Sequence, residues 1–518
     1  MVEFSKREFL VSPLVAALGL EAAARANENP ISAQDAALAA TPGPFNSSVA
    51  SLETYRTPDW FRDAKFGIWS HWGPQSVPRQ GDWYARFMYV PGHPHYDYHV
   101  KTYGHPSEFG YKDIIPLWRA ERFDPEALMT KYAAAGAKYF VTMGVHHDNF
   151  DLWNSKHHRW NAAAIGPKRD IVGAWKAAAK RRGLRFGVSE HLGASYCWSY
   201  PNHLYDQFWP KLGVSYDGAD PRCADLYHDN RDEPFLNKPG TWYTTNPKFH
   251  RRWFQRIRDL VDSYQPDLLY SDGGLPFGEI GRTLVAHLYN SNIARQGKLE
   301  AVYAHKNLGS GEFLPKAGVQ DVERGVLDGL NPLPWQTDTS NSDWFYNEHD
   351  RFKTAREVVS MLADIVAKNG NLLLNVVQYP DGSLPPESEE LLTGLSEWMK
   401  VNSEAIHGTR PWKTYGEGPT KPKAGAFGES GEYTPADIRF TTKRDTLYAI
   451  FLGWPQGRSA IQSLGAGALP NATIERVDLL GGPELQFRRD ADALRLTLPP
   501  SPKGALIPAI RIRGRALI

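Results

Sequence analysis

Asp272 stands in a stretch whose residue types and spacing suit catalysis. It follows the apolar run 268–270 and precedes two glycines, which let the backbone turn away from a sheet. A carboxylate at the carboxyl end of a buried strand lies where parallel α/β folds hold their catalytic groups. Asp272 is therefore a candidate catalytic carboxylate, although capping of the following turn is an equally common use of aspartate.

Other polar and aromatic residues stand at comparable positions, close behind predicted strands. They are His71, Asp82, Trp83, His146, His147, Glu190, His191 and Glu323. A parallel barrel would bring them to one mouth, where imidazoles bind hydroxyl groups and tryptophans offer flat faces to a sugar ring. A pair of carboxylates in that mouth would serve glycoside hydrolysis through an oxocarbenium-like transition state.

A metal-dependent hydrolase would use a similar collection of histidines and carboxylates. Against that alternative, the sequence has no His-x-His motif on a predicted first strand and no helical His-Glu-x-x-His motif. Four further histidines, His93, His95, His99 and His105, are separated by prolines and tyrosines and fit no ligand spacing. We expect their segment to form a surface flap without a metal.

The elements that must position these residues alternate between helices and strands. Asp124-Pro125, Asp170 and Asn246-Pro247 each have the residue types of a helix start. The predicted strands are 138–145, 184–189, 268–270, 301–305, 319–323 and 371–376, with an earlier one ending near His71. This alternation predicts an α/β fold, a (β/α)8-type TIM barrel in which some helices can be missing. A doubly wound sheet is less favoured, because no glycine-rich phosphate loop follows the first strand.

The two ends of the chain differ in composition from the barrel. Residues 1–26 contain Lys6-Arg7, an apolar stretch and Ala24-Arg25-Ala26, which predicts an export signal similar to a twin-arginine signal with lysine as its first basic residue. Residues 27–50 are predicted to be a linker, and residues 51–408 the catalytic barrel. The alternating apolar pattern within 409–518 predicts an antiparallel β-sandwich. We expect an exported protein, periplasmic or secreted, from a bacterium.

The composition argues against some classes of partner. There are 59 Lys and Arg against 58 Asp and Glu, so nothing indicates nucleic acid or an anionic membrane surface. No apolar run reaches the roughly 18 residues that cross a bilayer. The two cysteines, Cys197 and Cys223, match no metal-ligand spacing, and a disulfide between them would require an oxidising compartment.

Several motifs within residues 55–415 are distinctive. They are 65–73, 146–153, Trp335-Gln336-Thr337 and 368–376, the last continuing through Glu397-Trp398 to 408–412. On these motifs the chain resembles the α-L-fucosidases of glycoside hydrolase family 29. The resemblance implies a (β/α) barrel followed by a β-sandwich. It also implies hydrolysis of terminal α-L-fucosyl residues of glycans with retention of configuration, by double displacement and without a metal or other cofactor.

The resemblance also implies roles for individual residues. Asp272 is expected to be the nucleophile and Glu323 the general acid/base. Two other glutamates are candidates for the acid from their positions in the chain alone: Glu190 follows a predicted strand, and Glu348 lies in a polar loop. The expected substrate-binding residues are His71, Asp82, Trp83, His146, His147, Tyr270 and Trp335.

The chain departs from the family pattern at three places. It has Asn149 where the family commonly has Gly, Gln336 where it has Glu, and Ser189-Glu190-His191 where Tyr-Tyr-Ser is usual. These changes leave the expected reaction class intact but admit a related sugar such as α-L-galactose, which carries a hydroxyl on C6. A sugar-binding protein that has lost catalysis is another alternative, against which the presence of both Asp272 and Glu323 argues.

Overall fold

The computed structural model of the chain describes residues 38–206, 211, 213–230, 241–429 and 432–518. The predicted export signal lies outside these residues. Within them, no helix combines the length and the apolar character that crossing a membrane requires.

Eight parallel strands close into a barrel, as the sequence predicts. They are β1 Phe66–Ser70, β2 Tyr139–Val145, β3 Arg185–Glu190, β4 Leu268–Ser271, β5 Val302–Lys306, β6 Val319–Asp321, β7 Trp335–Ser340 and β8 Gly370–Asn375. Each strand pairs with the next, and β1 pairs with β8 to complete the ring. Both faces of the strands are covered, which explains their near-continuous apolar runs.

Helices surround part of this barrel. The six that run beside it are Pro125–Ala134, Ile171–Arg181, Pro247–Tyr264, Glu279–Gln296, Ala355–Ala367 and Pro386–Asn402. Asp124, Asp170 and Asn246 cap three of them by accepting backbone N–H groups of the first turn, as predicted. Residues 307–318 and 322–334, on either side of β6, contain no helix, so the prediction of missing helices is confirmed there.

Together with several 3-10 helices, seven shorter α-helices lie in the described part of this domain. They are Val49–Leu52, Asp59–Ala64, Tyr84–Phe87, Pro94–Thr102, Tyr111–Ile114, Leu192–Trp198 and Ala224–Tyr227. The predicted surface flap is wrong for its centre, because Pro94 starts a helix that buries His99 completely. The His99 ring lies 2.9 Å from the Tyr84 hydroxyl and 2.7 Å from the Phe109 carbonyl oxygen.

Residues 38–48, part of the predicted linker, contact the barrel domain closely. The Phe45 N–H donates to Asn290 Oδ1 at 3.0 Å, and Asn290 Nδ2 donates back to the Phe45 carbonyl at 2.8 Å. Leu38 and Phe45 are both buried. This part of the predicted linker is therefore held in place, while the boundaries at 26 and 50 stay predictions. Cys197 is buried and Cys223 is half-buried, and no disulfide joins these two described residues.

The C-terminal residues form two antiparallel sheets with a core of their own. Their strands are β9 Arg410–Glu417, β10 Ile438–Lys443, β11 Thr446–Phe451, β12 Arg458–Ile461, β13 Thr473–Leu479, β14 Phe487–Arg489, β15 Leu494–Thr497 and β16 Ala509–Arg515. One sheet has the order β13-β16-β11-β10-β9 and the other β12-β15-β14. The apolar pattern over 485–498 forms two strands, because the backbone turns between β14 and β15.

Several contacts join this sandwich to the barrel, among them a buried charge cluster. Arg439 Nε donates to Asp364 Oδ1 at 2.5 Å, and Lys368 Nζ lies 2.9 Å from the other oxygen of that carboxylate. In addition, a segment ahead of β10, residues 423–429, lies along the loop after β6. The Phe427 N–H donates to the Glu323 carbonyl at 2.8 Å. The sandwich thus contacts the backbone of a predicted catalytic residue.

Candidate active site

Asp272 lies at the carboxyl end of β4, among polar groups from neighbouring strand ends. Its Oδ1 accepts a hydrogen bond from Lys306 Nζ at 2.8 Å and lies 3.3 Å from the Tyr270 hydroxyl. Its Oδ2 lies 3.2 Å from Nε2 of His147 and 3.1 Å from Nδ1 of His191. The Asp272 side chain is 13% exposed, so a bound molecule can reach it.

Glu323 follows β6 and shares Lys306 with Asp272. Its Oε2 accepts from Lys306 Nζ at 2.7 Å, and its Oε1 accepts from Trp344 Nε1 at 3.2 Å. Two oxygens that lie 2.8 and 2.7 Å from the same nitrogen are at most about 5.5 Å apart, the upper end of the separation seen in retaining glycosidases. The two carboxyl groups therefore lie side by side near the carboxyl ends of β4 and β6.

Charge and burial move the pKa values of these two carboxyl groups in opposite directions. Burial alone would raise the pKa of Asp272, but Lys306 and His191 outweigh it and hold that pKa well below its ordinary value. Burial raises the pKa of Glu323 against the opposing charge of Lys306, with help from Asp338 and Asp272. Between the two pKa values, Asp272 is ionised while Glu323 holds a proton.

Lys306 ends β5 and is buried at the base of the site. Besides Asp272 and Glu323, its Nζ lies 3.3 Å from Oδ2 of Asp338 on β7. Burial alone would lower the pKa of Lys306, but the surrounding carboxylates, Asp272 first, raise it well above its ordinary value. The ammonium is therefore charged and held by three carboxyl groups at once.

Four histidines form one wall of the mouth, here called the histidine wall: His71, His146, His147 and His191. Their ring centroids lie 5.0 Å apart for His71 and His146, 4.8 Å for His146 and His191, and 5.3 Å for His147 and His191. Burial, the largest cause, lowers the pKa values of His71, His146 and His191. These three rings are therefore neutral and can both donate to and accept from hydroxyl groups.

Two groups in the histidine wall have the geometry to hold a metal ion. One ring nitrogen from each of His71, His146 and His191 lies within 4.8 Å of the others, and the same holds for ligand atoms of His147, His191 and Asp272. A metal ion in the second group would coordinate Asp272 and compete with its use as a nucleophile.

Asp82 and Trp83, in the loop after β1, lie against the histidine wall. Oδ1 of Asp82 lies 3.8 Å from Nε2 of His146 and accepts the Trp83 N–H at 2.9 Å. The Trp83 ring centroid lies 6.0 Å from the rings of His147 and Trp242. The structure thus brings this predicted pair to the mouth.

Trp335 lies at the wrong end of the barrel to contact a substrate there. It is the first residue of β7, opposite Gly370 at the start of β8, and its Nε1 donates to the Lys368 carbonyl at 2.9 Å. A Cβ atom on Gly370 would come within 2.7 Å of the indole. The residues around Trp335 and Gly370 therefore pack against each other at the amino ends of the strands, away from the mouth. The prediction that Trp335 binds substrate is wrong.

Trp344 supplies an indole at the mouth instead. It follows β7, donates to Glu323, and its ring centroid lies 5.4 Å from that of His71. The guanidinium of Arg324 stacks on its ring at 4.9 Å. Its Nε1 and the Lys306 ammonium each hold one oxygen of the predicted acid.

The carboxyl groups of the two other candidate acids are held by residues other than Asp272 and Lys306. Glu190 is buried and points out of the barrel, where its carboxylate accepts hydrogen bonds from the Ser271 hydroxyl, the Trp253 indole and the Leu192 N–H. The Glu348 side chain is 41% exposed, and its Oε1 accepts from Gln80 Nε2 at 3.1 Å. The geometry thus favours Glu323.

Asn149 follows His146-His147-Asp148, at the position where the family commonly has glycine. Its φ is 64°, in the left-handed region that asparagine tolerates better than most residues. Its Nδ2 donates to the Leu226 carbonyl at 2.7 Å, and its Oδ1 accepts from Arg256 Nη1 at 2.6 Å. The replacement keeps the turn that presents His147.

Sequence reasoning missed three residues of the site. Lys306 comes one position after the predicted strand 301–305, Asp338 lies inside β7, and Trp344 lies in a loop. Only Lys306 carried a usable signal, a charged residue at the end of an apolar strand. Inside a strand, the face that a residue points to depends on the barrel register.

Known proteins resemble the chain over most of its length. A sequence profile described as alpha-L-fucosidase matches residues 32–404, and one described as alpha-L-fucosidase C-terminal domain matches 432–509. The tissue alpha-L-fucosidase of Mus musculus is 28% identical over 483 residues, covering 91% of this chain and 94% of that protein. The plasma alpha-L-fucosidase of Homo sapiens is 30% identical over 431 residues, with 79% of each chain covered.

A solved structure agrees with these sequence matches. The crystal structure of Thermotoga maritima alpha-fucosidase superposes with a TM-score of 0.68 at 28% identity, covering 90% of this chain and all of that one. Both the barrel and the sandwich therefore have counterparts in the same relatives, and the chain belongs to the α-L-fucosidase family.

Proposed function

We propose that this chain is a retaining exo-α-L-fucosidase in which Asp272 is the nucleophile and Glu323 the general acid/base. The shared contact with Lys306 carries the proposal, since it holds the two carboxylates at most about 5.5 Å apart. An inverting enzyme would need roughly 6.5–9.5 Å between them for a water molecule.

The reaction proceeds in two displacements. In the first, the Asp272 carboxylate forms a bond to the anomeric carbon while the bond to the leaving oxygen breaks and that oxygen takes the proton of Glu323. In the second, a water oxygen attacks the same carbon, Glu323 takes a proton from the water, and the Asp272 ester bond breaks. Both carboxyl groups return to their starting protonation states, which the opposed pKa shifts favour.

We assign the sugar hydroxyls to the histidine wall and Asp82, with Trp83 and Tyr270 beside them. Neutral rings at His71, His146 and His191 suit hydroxyl recognition, because each offers one donor and one acceptor. Trp344 takes the place that the sequence assigns to Trp335.

Replacement of the nucleophile tests the proposal. Asp272→Ala should lower hydrolysis of nitrophenyl α-L-fucoside by about a thousandfold or more while the Tm stays close to that of the wild type. Added azide should enter the vacated space and restore turnover, with β-L-fucosyl azide as the product. Near-normal activity without azide would remove Asp272 from this role, and so would a rescue product of α configuration.

One observation favours α-L-galactosides as a second class of substrate. Nε2 of His191 is buried and has no hydrogen-bond partner among the described residues, and its ring centroid lies 5.9 Å from that of Tyr270. By resemblance, Tyr270 lies near the C6 methyl of fucose, so His191 can meet a C6 hydroxyl. Equal kcat/KM for nitrophenyl α-L-fucoside and α-L-galactoside would support this class, and a large preference for fucoside would exclude it.

The rival classes have simple tests. A sugar-binding protein without catalysis would bind fucose and leave the nitrophenyl substrate intact. A metal-dependent hydrolase using the histidine wall would lose activity in EDTA, whereas the proposed mechanism predicts unchanged rates.

We also propose that the protein is exported and that the mature chain begins near Asn27, based on the basic, apolar and Ala-x-Ala succession in residues 1–26. N-terminal sequencing of the protein from its host decides this, and a chain that retains Met1 would contradict it.

A further inference from the structure

Two carboxyl groups near Lys306 lie on paired strands inside the barrel. Asp321 ends β6 and Asp338 lies in β7, the neighbouring strand, and both are almost fully buried. Asp321 pairs with Gln336, two positions before Asp338, so the two carboxyl side chains are diagonal neighbours on the same face of the sheet. The proposed mechanism uses neither residue as nucleophile or acid. Burying two acidic groups close together is unfavourable unless their charges are compensated, so their presence requires another explanation.

The partners of the two carboxyl groups are unequal. Oδ2 of Asp338 accepts from the Tyr270 hydroxyl at 2.9 Å and lies 3.3 Å from the Lys306 ammonium. Oδ2 of Asp321 accepts only a neutral amide, Nε2 of Gln336, at 2.7 Å. The remaining oxygen of each, Oδ1, is buried without a donor among the described residues. Two ionised carboxylates here would repel and leave both of these oxygens unsatisfied.

We propose that Asp321 carries a proton that it donates to Asp338, and that the ionised Asp338 positions Lys306 between Asp272 and Glu323. One proton satisfies both free oxygens, and the negative charge remains on the member that faces the ammonium. Asp338 and Asp321 are thus positioning residues that act through Lys306. This inference rests on the proposed function of Asp272 and Glu323.

Two further observations agree with a protonated Asp321 beside an ionised Asp338. Burial and the neighbouring Asp338 raise the pKa of Asp321 well above its ordinary value. Gln336, where the family commonly has glutamate, donates to Asp321 and receives a hydrogen bond from the Tyr139 hydroxyl at 2.9 Å. A glutamate there could not donate while ionised, so the amide suits a neighbouring carboxyl group that keeps its own proton for Asp338.

The proposal predicts that two similar substitutions have unlike effects. In Asp321→Asn, the new amide can donate to Asp338 as the protonated acid does, so kcat/KM for nitrophenyl α-L-fucoside should stay within about threefold of the wild type. In Asp338→Asn, the charge beside Lys306 is lost and kcat should fall by about a hundredfold with little change in KM. Asp478→Asn, in the buried part of the sandwich, is the matched control and should leave both constants unchanged.

A pH profile separates positioning from general structural damage. The charge of Asp338 raises the pKa of Glu323, so its removal should move the basic limb of kcat/KM to lower pH. Asp321→Asn should leave that limb in place. Equal losses in the two variants would overturn the proposal, and so would an Asp338→Asn enzyme with wild-type kcat and profile.

An infrared measurement tests the shared proton without relying on activity or on the folding of Asp338→Asn. At neutral pH, the difference spectrum between wild type and Asp321→Asn should contain the C=O stretch of one protonated carboxyl group, present only in the wild type. Absence of that band would overturn the proposal. A wild type that shows the band but hydrolyses no fucoside would instead refute the proposed function.

Discussion

Among single residues, Glu323 and Glu190 differ in what satisfies their carboxyl groups. Glu190 has three donors outside the barrel, whereas Glu323 contacts Lys306 and Trp344 inside the mouth. A carboxyl group whose oxygens are all engaged on the far side of a strand cannot reach a leaving oxygen. The acid role thus depends on the direction of the side chain, which strand position alone does not specify.

This difference leads to a prediction about leaving groups. Glu323→Ala should slow hydrolysis of a fucosyl oligosaccharide by about 10²–10⁴-fold, because a poor leaving group needs the proton. An activated nitrophenyl fucoside should lose far less in the bond-breaking step. Glu348→Ala, at an exposed glutamate, is the control and should leave both substrates unaffected. Equal losses on both substrates in Glu323→Ala would assign the acid to another residue.

The pKa shifts at the same two residues predict the pH dependence. Activity requires Asp272 ionised and Glu323 protonated. The pKa of Asp272 is lowered and that of Glu323 is raised, so kcat/KM should hold on the acid side and fall as the pH rises through the pKa of Glu323. Rates measured from about pH 3 to pH 9 on the nitrophenyl substrate check this. Glu323→Gln cannot titrate, and a basic limb that persists in that variant would contradict the assignment.

At the scale of elements, the sequence predicts much of the architecture. Helix starts at Asp124, Asp170 and Asn246 are local events, since a cap and a proline at the first helical position suffice to specify them. The carboxyl-end positions of His71, His147 and Asp272 follow from the direction of the chain through each apolar run. Helix starts and strand-end positions are both predictable because they depend only on residues nearby in sequence.

Other features of the elements depend on distant residues. Trp335 belongs to a distinctive motif, yet a motif does not reveal which end of a six-residue strand faces the mouth. Asp338 and Asp321 meet only because β6 and β7 pair in one register. His99 is buried because its helix folds under Tyr84. Each of these facts requires the closed barrel, which the local pattern of residues does not contain.

In the whole molecule, the two domains share a buried charge cluster. Arg439 of the sandwich contacts Asp364 of a barrel helix, and its guanidinium lies 5.4 Å from the ring centroids of Tyr415 and Tyr433. Lys368 holds the other oxygen of Asp364. All three charged side chains are nearly inaccessible to solvent. Removing one charged side chain from such a cluster destabilises the protein, because the remaining charge stays buried without its partner.

Arg439→Leu should therefore destabilise the protein by about 3–5 kcal/mol. The measurement is the Tm by calorimetry, with kcat/KM at low temperature retained while the protein is folded. Arg458→Leu, on the exposed edge strand β12, is the matched control and should change the Tm by a degree or less. Similar Tm values for the two variants would mean that the cluster contributes little to holding the domains together.

The segment 423–429 has a consequence for how such enzymes can be recombined. Its N–H at Phe427 supports the carbonyl of Glu323, and Gly425 pairs with Val326 in the same loop. A gene fusion that exchanged residues 409–518 for a sandwich of another origin would also exchange the scaffold under the acid's loop. We therefore expect the barrel and the sandwich to be inherited together. A chimaera with a foreign sandwich would keep the nucleophile Asp272 but lose the alignment of the proton donor Glu323.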